Sequence, residues 1–149
     1  MAIISSYPVV QPSAGDYLVG TKVENTGVQV NPTKNFTVEA VGDLILGYKS
    51  YVALISQVGG ADPTAIVLHN NTGVTFTWAR TGGGIYTLTA SGNIFTAGKT
   101  IVFNNNGIDI AGGNTPPQWQ RTSDTVITVL TGGIDTAIDN GAFEVRIYS

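Results

Sequence analysis

From Tyr48 onward the chain is a succession of short apolar segments, KSYVALISQV, TAIVL, GVTFTWAR, GIYTLTA, KTIVFN, TVITVL and FEVRIY, separated by glycine, asparagine and proline clusters. Segments of this length, rich in β-branched and aromatic residues and bounded by turn formers, read as strands. Two of them alternate with period two. Val74, Phe76 and Trp78 oppose Thr75 and Thr77, and Phe143, Val145 and Ile147 oppose Glu144 and Arg146. Such strands have one buried and one wet face. Seven or eight of them, at a turn spacing of roughly 8 to 12 residues, predict a mainly β protein: an antiparallel β-sandwich or jelly-roll-like domain over residues 48–149. TGGG before Ile85, NNNG before Ile108 and AGGN before Pro116 supply the positive-φ positions that tight turns need.

The chain in front of this domain reads differently. Residues 1 to about 34 contain Pro8, Pro12 and Pro32 among small polar residues and short apolar pieces, which suits an extended arm. Fully extended, such an arm would span on the order of 110 Å. A short helix follows in NFTVEAVGDLI. Thr37 can cap it, Glu39 falls in its first turn, and Val38, Val41 and Ile45 recur at helical spacing. Phe36 and Val41 stand where a hydrophobic staple would form. Gly42 weakens the helix and Gly47 stops it, leaving about two to three turns that need a surface to pack on. The chain therefore divides into 1–47 and 48–149.

Hydrophobic residues make up 42% of the 149, enough for a core, while charged residues make up only 11% against a usual figure near 25%. A surface so poor in charge is expected to be covered in part by neighbouring subunits. The net charge of -3 and the scatter of Lys22, Lys34, Lys49, Arg80, Lys99, Arg121 and Arg146 provide no basic stripe for nucleic acid. The chain has no cysteine, which excludes disulfides and thiolate zinc sites. MAIISSYPVVQPSAGDY has neither a basic leader nor a long apolar run, so no membrane insertion is expected.

Chemistry-bearing residues are few. His69, the single histidine, lies in LHNN at a strand end, where a turn or interface role outweighs a pH-sensing one. Asp109, Asp124, Asp135 and Asp139 lie in or beside the C-terminal loops, where a carboxylate pair about 5 to 9 Å apart would suit glycoside hydrolysis. Asp135 and Asp139 in GGIDTAIDNG nevertheless read as turn residues. TGGGIY lacks the Lys-Ser/Thr and the following helix of a phosphate cradle. Trp78 alternates into the core. Trp119, in TPPQWQR, is either an edge-strand residue packed on a neighbour or an exposed aromatic that stacks on a sugar. No enzymatic activity, metal or cofactor is expected.

ISSYP, GDYLVGT and, after a spacer, TKNFTVEAVGDLI resemble the N-terminal region of structural proteins of tailed bacteriophages, particularly those infecting Bacteroidetes and related aquatic bacteria. KSYVALISQVG, VLHNNTGVTFTWART, GIYTLT and FEVRIY are similar to the β domain carried behind it. The resemblance implies a virion-attachment module over 1–47, with Tyr7, Pro8, Leu18, Phe36, Val38, Val41, Leu44 and Ile45 as anchor or interface residues. It further implies docking on capsid or tail proteins; the low surface charge adds the expectation of a homotrimer, and Trp119 is the candidate contact for a host glycan. The chain lacks the heptads and repetitive shaft of longer fibres. A short head fibre or capsid decoration is therefore expected ahead of a tail location.

Overall fold

The computed structural model describes residues 11–21, 33–105 and 117–149. The chain divides into two compact units, Met1–Gly47 and Tyr48–Ser149.

In the first unit, strand β1 (Tyr17–Thr21) pairs antiparallel with β2 (Thr33–Thr37), in a register running from Tyr17 opposite Thr37 to Thr21 opposite Thr33. Helix α1 (Val38–Leu46) follows directly. The segment expected to form an extended arm instead turns at Ser13–Asp16 and is extended only in its strands, which are hydrogen-bonded into a ribbon. Pairing satisfies peptide groups that an isolated extended segment would leave to water. Phe36, diagonal to Gly20, helps to hold the ribbon: a Cβ built on Gly20 would lie 3.2 Å from the Phe36 ring.

The second unit is an antiparallel β-sandwich. Its strands are β3 (Tyr48–Ser56), β4 (Thr64–Asn70), β5 (Phe76–Gly82), β6 (Ile85–Ala90), β7 (Thr100–Asn105), β8 (Gln118–Arg121), β9 (Val126–Leu130) and β10 (Gly141–Tyr148). One sheet has the order β4-β3-β10-β7, the other β5-β6-β9-β8. A 3-10 turn, Asp135–Ile138, leads from β9 into β10. Alternation places Tyr51, Ala53, Ile55, Phe143 and Val145 of the first sheet in one core with Trp78, Tyr86, Leu88, Ile127 and Val129 of the second. Trp78 joins the two sheets. Its indole donates to the Tyr51 hydroxyl at 3.3 Å and meets the Phe143 ring edge-on at 4.8 Å. Each large side chain buried here contributes roughly 1.5–3 kcal/mol.

The outer faces of the two sheets differ. On the second sheet the cross-strand rows are Thr77, Thr89 and Val126, then Ala79, Thr87, Thr128 and Gln120, with Ile85 and Leu130 as an aliphatic pair beside Gln118. Hydroxyls and amides dominate, as on a wet face. On the first sheet the rows are Ile66, Leu54, Ala142 and Asn105, then His69, Val52, Glu144 and Phe103, then Ser50, Arg146 and Ile101, with Tyr48 opposite Tyr148. Apolar side chains dominate there.

Candidate interaction site

The anchor expected in residues 1–47 is built from local rules. Ser13 and Asp16 close a turn in which the Asp16 carboxylate accepts from the Ser13 amide at 2.7 Å. That turn also serves the helix. The Asp16 carbonyl accepts from Val38 N at 2.9 Å and the Ala14 carbonyl from Glu39 N at 3.3 Å, while the Thr37 hydroxyl accepts from Ala40 N at 3.1 Å. Three of the amides that a helix start leaves unpaired are thereby satisfied. At the other end Gly47 is left-handed (φ 69°) and donates to the Asp43 carbonyl at 3.1 Å. A side chain at that φ would be strained, so glycine is the natural stop.

This nine-residue helix has no buried residue. Leu44 and Ile45 are 81% and 78% exposed, and Leu46 is exposed beside them. Val38, Val41 and Phe36 are half-buried. On the ribbon Leu18 is exposed, as are Tyr17 and Val19, which the sequence reading did not single out. Tyr7 and Pro8 lie outside the described residues. The unit therefore offers apolar side chains from both its helix and its ribbon, and their recurrence within YLV and LIL is the signal that could have added Tyr17, Val19 and Leu46.

In the sandwich, several ionisable groups are engaged in packing contacts. Asp135 accepts from Arg80 Nε and Nη2, both at 2.9 Å, and from Gly84 N at 2.8 Å. The Tyr86 hydroxyl donates to the Asp135 carbonyl at 2.6 Å. The Arg80 guanidinium and the Gly84 amide hold the Asp135 carboxyl down at about 2. Burial, with the Asp135 charge adding to it, pushes the Tyr86 hydroxyl up to about 12. An anion so firmly held and a phenol so hard to ionise are poor proton-transfer groups near neutral pH. They fasten the β5–β6 turn to the 3-10 turn.

Asp139, also read as a turn residue, accepts from Gln57 N at 2.8 Å and reaches across to β3 through Ser56 Oγ at 3.3 Å. Asp124 pairs with Arg121, whose Nε donates to the Phe95 carbonyl at 2.5 Å. Asp109 lies outside the described residues. Each described carboxylate of the set thus has its own partner in a different contact. Among the described residues no three His, Cys, Asp or Glu side chains cluster as a metal site.

His69 is exposed on β4, opposite Val52. Trp119 sits on edge strand β8, half-buried and packed against the core of its own sandwich. β8 itself, four residues long, is the edge strand that one reading of Trp119 offered, though it stands outside the apolar strand segments of the sequence. Gly84, in the TGGG turn, has φ 65°, and a Cβ there would lie 2.5 Å from Gly133 N. Its role is close backbone packing. A scan against protein-family models and searches of curated proteins and of solved structures find no match.

Proposed function

We propose that this chain is a non-enzymatic structural protein of a bacteriophage virion, a short head fibre or capsid decoration. Residues 1–47 hold it on the particle, and the β-sandwich of residues 48–149 projects as a homotrimer. The observation that carries this reading is the N-terminal unit, whose helix is capped at both ends yet exposes Leu44, Ile45 and Leu46. Nine residues are too few for a helix to persist on propensity alone, so a surface that takes up these side chains would complete it. Copies held together would bind the particle through several anchors at once, gaining about 10² to 10⁴ in avidity. The engagement of Asp135, Asp139 and Asp124 in packing contacts fits a structural part.

The test uses Leu44→Asp with Ile45→Asp in the full chain. Both positions are exposed, so the variant is expected to stay folded and soluble while falling at least about tenfold in purified particles. Normal incorporation of the variant would overturn the anchor.

A further inference from the structure

We infer that the outer face of the β4-β3-β10-β7 sheet is the contact between copies of this chain. The inference rests on the self-association just proposed and names the surface that performs it. Strands with only one buried face alternate apolar and polar residues, whereas strands covered on both faces read as continuous apolar runs. YVALI in β3, AIVL in β4 and IVF in β7 are continuous runs. The inner side of the sheet is taken up by the sandwich core. The outer side presents Ile66, Leu54, Val52, Phe103, Ile101 and Tyr148 across the cross-strand rows. Ile66 is 67% exposed and Phe103 47%.

Four strands at about 4.8 Å spacing and eight residues at about 3.3 Å rise make a face of roughly 500 Å². With its polar positions included, this lies within the roughly 300–600 Å² of the largest apolar patch on a typical monomer, a patch that is often functional. It is of the same order as the ~800 Å² that each partner contributes to a standard interface.

The charge on this face argues for a copy of the same chain as the occupant. Its centre carries one acid and one base, Glu144 and Arg146, two residues apart on β10 and bonded from Nε to Oε1 at 2.5 Å. The Arg146 guanidinium also lies against the Tyr48 and Phe103 rings, 4.9 and 4.7 Å from their centroids. Such a pair is its own electrostatic complement, because around a threefold axis the Glu144 of each copy can meet the Arg146 of the next. A strongly acidic or basic partner would find nothing to match. The contrast with the Thr- and Gln-rich outer face of the second sheet gives the assembly a direction, one sheet facing its copies and the other facing water.

The test is the mass of the full chain in solution at tens of micromolar, beside two double variants. The wild type is expected at a multiple of the single-chain mass. Leu54→Arg with Ile66→Arg, adjacent in register on this face, should weaken association at least about a hundredfold and leave a folded single chain. Thr77→Arg with Thr89→Arg adds the same charge to the other sheet and should leave the assembly unchanged. A single-chain wild type would overturn both this inference and the self-association beneath it. An assembled wild type whose Leu54/Ile66 variant also assembles would overturn the face alone. Amide exchange needs no variant: β3 and β4 should be protected on raising the wild-type concentration, and a lack of added protection there would also refute the face.

Discussion

The two sheets of the sandwich share one core and part company outside it. Inward, both follow the same rule, large apolar side chains in alternation. Outward, one presents Ile66, Leu54, Val52 and Phe103 around a single ion pair, and the other presents threonine and glutamine. An inner face is dictated by the fold, since any sandwich must fill it. An outer face is free of that demand, so its composition reports on surroundings beyond the chain.

The comparison breaks if the inner faces prove unequal. Phe143→Ala in the first sheet should cost about 3–5 kcal/mol and Leu88→Ala in the second about 2–5 kcal/mol, both read from denaturant midpoints. A small loss in one and a large loss in the other would mean that one sheet carries the core. Gly84→Ala comes next, because a left-handed φ and the nearby backbone of Gly133 oppose a side chain; thermal melting should show a loss of about 1–3 kcal/mol.

A smaller effect belongs to the ion pair that fastens the second sheet to the turn before β10, about a quarter exposed and therefore partly screened. The Asp135 carboxyl titrates at about 2 in the fold, below the usual value near 3.9, so its contribution is present above about pH 4. It is lost as pH falls from about 4 to about 2. Asp135→Asn should flatten the fall in melting temperature across that window. The Tyr86 hydroxyl, raised to about 12, works in the opposite sense: its contribution holds below about pH 10 and is lost between about 10 and about 12. Tyr86→Phe should flatten that alkaline limb. The least effect is expected outside. Thr89→Val on the second sheet should change stability by no more than about 0.5 kcal/mol.

How legible these features were depended on how local they are. Helix α1 could be read from its own letters, since Thr37, Glu39 and Gly47 lie within one short stretch. The alternation in β5 and β10 gave both the strands and their inward residues. β1 pairs with β2 across eleven intervening residues, and β8 has only four residues, so neither produces a strand pattern of its own. The Arg80–Asp135 pair joins residues 55 apart in sequence, which no spacing rule anticipates. Asp135 and Asp139 do lie at a turn, as their letters suggest. What their carboxylates hold, β5–β6 in one case and the end of β3 in the other, is set by sheet packing. Of the candidate anchor, the helical residues were visible as an apolar stripe, while Tyr17 and Val19 depended on the unseen ribbon.

The position of β10 also governs how the sandwich comes to exist. It lies between β3 and β7, and Tyr148 stands opposite Tyr48. The hairpins β3–β4 and β5–β6 are local and can close in microseconds, but the first sheet has no middle until a strand from the far end of the domain arrives. Folding is thus gated by long-range loop closure and expected on the millisecond-to-second scale. During synthesis β3, β4 and β7 must wait with apolar edges open, a period in which crowding with other nascent chains favours misassembly.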